Sequence, residues 1–220
     1  MPIQIQGNGG AVAEVDGTGY RALRITQRPI EALGHYELEL TTGGYGGLAV
    51  GAPLFTMRWT DPTRLCVIYQ SRVSVQTTAP FAVSQITSRE LVVARGWTVS
   101  DTGGGAVVLT GNALKKRSSM GPTLFAAGDI RFHSGAITPG TRTVEANVVG
   151  QALGWSEGGF EAKLGMDISR ADLLTDPGGH DHPIILVQNE GVIMQVGTLM
   201  GTGGVQKTTI KMVWAEVATY

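Results

Sequence analysis

A single cysteine in 220 residues removes two classes of site at once. Cys66 has no partner for an intrachain disulfide, and no zinc site built from several thiolates can form around it. It lies in the apolar run RLCVIY, which predicts a buried core thiol. Charge is also scarce and evenly balanced: charged residues make up 16% of the chain, with 17 basic against 18 acidic and a formal net charge of -1. Such a surface has no overall field to concentrate a nucleic acid or an anionic membrane, so bulk electrostatics argue against both as partners. No apolar run approaches the ~18 residues of a membrane span, and the opening MPIQIQGNGG lacks the basic start and apolar stretch of a signal peptide. The expectation is a soluble chain made in a cytoplasm.

Helical periodicity is equally sparse, whereas glycine is abundant, at 32 residues, about twice the usual ~7%. Period-2 alternation with β-branched residues recurs in YELELTT, LFTMRWT, RLCVIYQSRVSVQ, ELVVARGWTV, AVVLT, DIRFHS and TVEANVV. Turn signals such as TTGGYGG, TDPT and DTGGG separate these runs. This pattern predicts an all-β fold, an antiparallel sandwich or jelly-roll-like barrel. Two stretches, SQITSRE and GNALKKRSS, read as short helices. Near the C-terminus, PIILVQ and VIMQVG flank NEG, which predicts a hairpin with Asn189 or Gly191 at positive φ.

The first twenty residues form a distinct compositional segment, rich in glycine, without Lys or Arg, and alternating small apolar with polar residues. They read either as an extended N-terminal arm (1–20), with Ile3, Ile5, Val12 and Val15 as its partner-binding side chains, or as an ordinary first edge strand. The remainder, 21–220, shows no repeat or linker and reads as one β domain.

Candidate chemistry is thin. GTGGVQKTT places Gly201, Lys207 and Thr208 at phosphate-loop spacing, but Gln206 stands where the second glycine belongs. The following TTIKMVWAEV alternates as a strand, so no helix N-terminus is supplied and the last glycines read as a hairpin turn. His180, Asp181 and His182 are metal-competent residue types, yet three consecutive residues rarely face one ion, and a solvated turn is the better reading. His35 and His133 stand alone in strand-like runs. No G-x-S-x-G elbow occurs. Glu37 and Glu39 share one face of a strand, as glycosidase carboxylates could, but without a sugar platform they read as a wet face. Lys115, Lys116 and Arg117 form the main basic cluster, a solvated loop or an intersubunit contact. The four tryptophans are scattered, as core or interface anchors are. These readings predict no catalytic residues, no metal and no cofactor.

Taken in order, IQIQGNGGAVAEVDGTGYRALRIT, RPIEALGHY, FTMRWTDPTRLCVI, ELVVAR, LKKRSSMG, HPIILVQNEGVIMQV and the closing WAEVA resemble a family of virion structural proteins of tailed bacteriophages. The resemblance spans nearly the whole chain. It implies a non-enzymatic role on the virion, that of a capsid decoration or cement protein seated across seams of the major capsid protein. A homo-trimer is the implied oligomer, with Ile3 to Val15 as an arm adding to a neighbour's sheet. A tail, baseplate or fibre-attachment component is the alternative within that context. A carbohydrate-binding β domain is a further one, with Tyr45 in GGYGG as its exposed aromatic.

Overall fold

The computed structural model describes residues 34–110, 114–116, 120–159, 165–174 and 183–218, all within one compact unit, Ala32–Tyr220. The expected arm, including Ile3, Ile5, Val12 and Val15, lies outside the described residues, as do Arg117 and His180 to His182.

The described residues contain strands and no helix: β1 (Gly34–Thr41), β2 (Pro53–Trp59), β3 (Leu65–Ala79), β4 (Gln85–Arg95), β5 (Thr102–Ala106), β6 (Ile130–Thr138), β7 (Thr143–Ser156), β8 (Gly165–Leu174), β9 (Ile184–Leu186), β10 (Glu190–Val196) and β11 (Val205–Val217). They pair antiparallel in two sheets. One has the order β1-β11-β3-β8, with β9 also on β3; the other has the order β5-β6-β2-β10-β4-β7. β8 and β9 share one side of β3, β8 along Ser71–Thr77 and β9 along Cys66–Ile68.

The sequence alternation sorts side chains as expected of a sandwich. Tyr36 and Leu38 of β1 are buried while Glu37 and Glu39 face outward. Phe55, Met57 and Trp59 of β2 meet Ile210, Met212 and Trp214 of β11 in the main core, with Cys66 among them. At one end Tyr45, Leu54, Phe81, Val196 and Met200 form a second cluster. A third, Val92, Ala94, Ile193 and Trp97, lies on the outer face of the six-stranded sheet.

Three local expectations are corrected. SQITSRE is not helical; it opens β4, where Thr87 and Arg89 turn inward and Ile86 faces solvent, a period of two that a helix cannot satisfy. DTGGG is not a turn but the start of β5, whose register on β6 shifts between Gly103 and Gly105. Gly103 and Gly104 take φ of 69° and 57°, and a Cβ on Gly103 would come within 2.4 Å of the Ala136 carbonyl. AVVLT leaves the sheet after Ala106.

The two C-terminal hairpins are also absent. β9 pairs with β3 whereas β10 pairs with β2 and β4, so the Asn189 turn carries the chain between sheets. Asn189 does take positive φ, at 64°. Its N–H donates to the Trp59 carbonyl (2.8 Å), and its own carbonyl accepts from Trp97 N–H (2.7 Å). GTGG likewise joins β10 of one sheet to β11 of the other. In both places the turn chemistry is right and the pairing is not local.

Candidate interaction surface

The basic cluster is partly committed within the chain. Leu114–Lys116 runs along β1: Glu37 N–H donates to Leu114 C=O (2.9 Å), and Lys116 N–H donates to His35 C=O (3.3 Å). Lys115 sits at an isolated bridge to Tyr36, and Lys116 Nζ lies 2.5 Å from Glu37 Oε2. Lys211 reaches the other Glu37 oxygen. Hydrogen bonds from Lys116 and then Lys211 hold the Glu37 carboxyl below the usual carboxylate range. Glu37 is therefore an ion-pair acceptor on the outer face of β1, and the solvated-face reading fits it better than a glycosidase role.

Tyr45, the aromatic that a sugar site would need at the surface, is buried instead. Its hydroxyl bonds Thr208 and accepts from Arg89 Nη2 at 2.8 Å. Arg89 is fully buried; Nη2 also donates to Gln206 Oε1 (2.7 Å) and Nη1 to Ser88 C=O (2.6 Å). Gln206 Nε2 continues to Asp167 Oδ2 (2.7 Å) and Thr87 Oγ1 (2.9 Å), and Thr77 Oγ1 donates to the same Asp167 oxygen (2.5 Å). The network ties β3, β8 and β11 of one sheet to β4 of the other. Burial without partners would cost each polar group several kcal/mol, so the chain of donors and acceptors is what makes this interior position tolerable. Gln206, the residue that spoils the phosphate-loop spacing, is one of its central members.

The opposite end is closed by residues 120–125. Glu216, fully buried on β11, accepts from Leu124 N–H (2.9 Å), Trp214 Nε1 (3.2 Å) and the Thr123 hydroxyl. Tyr36 Oη donates toward the Gly121 and Pro122 carbonyls, both at 3.1 Å. Phe125 sets its ring edge-on to Trp59 and Trp214. Burial pushes the Glu216 carboxyl above its ordinary value, and burial together with the Glu216 charge pushes the Tyr36 phenol up to about 12. Both groups hold the loop in place and are spent on it.

Surface concavities are shallow. One, of about 240 Å³, is lined by Glu39, Arg72, Ser74, Arg170 and Lys211 on the outer face of the five-stranded sheet. Arg72 there is paired with Asp172, and Lys211 with Glu37. His133, on β6, is buried against Tyr45, with ring centroids 5.3 Å apart, and burial lowers its imidazole below the ordinary value.

What stands out on the surface is apolar. On the outer face of β4 and β7, Ile86 is directly opposite Trp155, and Ser88 is opposite Leu153. Ile86, Leu153 and Trp155 are 53%, 63% and 58% exposed, and Leu199, 70% exposed, follows Thr198, whose hydroxyl donates to Ile86 C=O (3.0 Å). Val144, Val148 and Val149 extend the exposed apolar side chains along β7. Single exposed hydrophobics are ordinary, but grouped ones mark binding surfaces. The other side of β7 is pressed onto β8: a Cβ on Gly150 or Gly154 would lie 1.8 Å from Leu173 C=O or 2.2 Å from Asp167 C=O. Three of the four tryptophans are buried, and Trp155 alone of them is exposed.

Sequence reasoning named neither Ile86 nor Leu153, because their exposure depends on which face of the β4–β7 pair is turned away from the core. Compared with family models, curated proteins and solved structures, the chain shows no match.

Proposed function

We propose that this chain is a structural protein of a tailed-bacteriophage virion, a capsid decoration protein that works by binding rather than by catalysis. The observation that carries the proposal is the exposed cluster of Ile86, Leu153 and Trp155 on a rigid sheet. A few residues, tryptophan prominent among them, supply most of the energy of protein interfaces, which makes Trp155 the candidate anchor and Ile86 and Leu153 its apolar surround. The family resemblance of the sequence supplies the partner, the major capsid protein, and the position, seams between its subunits. A homo-trimer at such seams would present several copies of the patch at once, so that modest individual contacts sum.

Under this reading the balanced net charge of -1 suits a contact made of apolar and backbone groups, and no nucleic acid or membrane is engaged. Quantification of the protein in purified virions tests it. Copy numbers in the hundreds, comparable to the capsid protein, are expected. A few copies per particle would overturn the head assignment and point to the tail or baseplate.

A further inference from the structure

The outer face of the five-stranded sheet is polar, as the wet face of a sandwich must be, but its groups are not evenly spread. The register sets Glu39 of β1 beside Lys211 of β11, and Lys211 beside Arg72 of β3; two residues along, Thr209 stands beside Ser74. On the far side of β3 the ladder slips. Val73 pairs with Ala171 and Val75 with Ile168, so Ser74 alone faces both Ser169 and Arg170. A bulge of this kind re-aims side chains of the strand that holds the extra residue, and bulges collect beside functional sites. Here it brings Ser169 and Arg170 to the concavity of about 240 Å³ that Glu39, Ser74 and Lys211 also line.

The cations of this face are not all spent. Arg72 is paired with Asp172, and Lys211 and Lys116 share the single carboxylate of Glu37. Arg170 is exposed, and among the described residues its guanidinium has neither an ion pair nor a hydrogen bond. An uncommitted guanidinium is a planar fork matched to a carboxylate or a phosphate. Ser74 and Ser169 add hydroxyl donors beside it, whereas Thr209 already shares a hydrogen bond with Thr41 (2.8 Å).

Glu39 decides which anion fits. It is the one carboxylate among the residues lining the concavity, and when ionised it only accepts hydrogen bonds. A bare oxyanion among the cations is repelled by it, whereas a ligand whose hydroxyls donate to Glu39 while its acid group meets Arg170 gains at both ends. β1 and β8 are three strand spacings apart, about 14 Å, and the side chains of Glu39 and Arg170 shorten that gap toward the length of a small sugar. None of the lining residues is aromatic, so a neutral sugar finds nothing to stack on.

We propose that this concavity binds an anionic sugar unit, one that carries hydroxyls and a single carboxylate or ester phosphate. Arg170 grips the acid group, Ser74 and Ser169 add hydrogen bonds, and Glu39 accepts from the hydroxyls. The site is shallow, so each copy binds weakly, and repeated display on a particle would multiply the effect. It lies on the opposite outer face from Trp155, so it stays open when that face is docked. It does not rest on the capsid reading, and the isolated protein tests it.

Amide chemical shifts of isotopically labelled protein, followed as ligand is added, give position and affinity together. Glucuronate and glucose 6-phosphate should shift the amides of 72–74, 169–170 and 209–211 and saturate in the millimolar range, whereas glucose should shift none of them. Saturation by only one of the two acids would assign the site to carboxylate or to phosphate ester. Arg170→Gln removes a charged hydrogen-bond donor and should weaken binding by about tenfold or more, with the thermal midpoint unchanged because the side chain is exposed and unbonded. Glu39→Gln removes the repulsion and should narrow the preference for glucose 6-phosphate over inorganic phosphate by roughly threefold. No saturable shift with either acid would overturn the proposal, and so would an Arg170→Gln variant that binds as wild type does. Inorganic phosphate or a tri-glutamate peptide binding as tightly as the sugar acids would overturn the sugar assignment.

Discussion

Arg89 and Tyr45 meet inside the sandwich, with guanidinium Nη2 2.8 Å from the phenolic oxygen and Cζ 5.4 Å from the ring centroid. Both side chains are buried, and among the described residues no carboxylate bonds the guanidinium directly; its acceptors are a phenol, a hydroxyl, an amide and a backbone carbonyl. The charge is thus held by neutral dipoles, with Asp167 reached only through Gln206.

This arrangement predicts a graded loss of stability. Tyr45→Phe removes one acceptor from a charged donor and should cost about 1.5–3 kcal/mol. Arg89→Met strands Gln206 Oε1, at ~1–3 kcal/mol, and also takes donors from Tyr45 Oη and from the Ser88 carbonyl, which keeps the Gly197 N–H, so it should cost at least as much. Because the residues share a network, the double variant should lose less than the sum. Urea unfolding of the three variants measures all of this, and strictly additive losses would contradict a shared network.

Glu216 predicts a pH dependence with a definite sign. Burial raises its folded-state value, so the fold favours the protonated carboxyl. That contribution is complete below the ordinary glutamate value of about 4.3 and is lost as pH rises through the raised folded value. Glu216→Gln cannot titrate, although its amide nitrogen is poorly matched to the Leu124 N–H. The stability of wild type relative to this variant should therefore fall as pH rises across that window. A difference independent of pH would show that the carboxyl does not titrate abnormally.

Gly150→Ala and Gly154→Ala probe the packing of β7 on β8. Each new methyl would overlap a carbonyl of the facing strand, at 1.8 Å and 2.2 Å. Overpacking of this kind costs about 1–3 kcal/mol, and thermal denaturation should show both variants less stable than wild type. An unchanged midpoint would mean that the two strands are farther apart.

Trp155→Ala separates folding from binding. The side chain is exposed, so stability should change by no more than about 0.5 kcal/mol. Binding should weaken by ~2 kcal/mol or more if the tryptophan anchors an interface. Co-sedimentation with capsids lacking the protein, beside a melting curve, reads both quantities. Unimpaired co-sedimentation would exclude Trp155 as an anchor.

Much of this molecule was legible in local pattern. Alternation in YELELTT placed Tyr36 and Leu38 on one face and Glu37 and Glu39 on the other, because a strand's side chains alternate whatever lies beside it. Cys66 was expected in the core from its neighbours, and it is there. Asn189 was expected at positive φ as one of two choices, and Gly191 proved to serve another need: a Cβ there would meet the Met57 carbonyl at 2.3 Å and the Trp97 ring. SQITSRE was misread because, over seven residues, polar and apolar positions fit either period.

Composition and alternation by themselves determined that the chain is all-β, rich in turns and balanced in charge, since these follow from the backbone preferences and charges of neighbouring residues. Tertiary structure alone decided which strands share a sheet. A turn reverses the chain but does not choose its next partner, so β9 and β10 part company at Asn189 and β10 and β11 at GTGG. The same non-local pairing brings Gln206 to Arg89 across 117 positions and buries Tyr45. It also turns one face of the β4–β7 pair away from the core, where Ile86, Leu153 and Trp155 remain in water because no other described residue covers them.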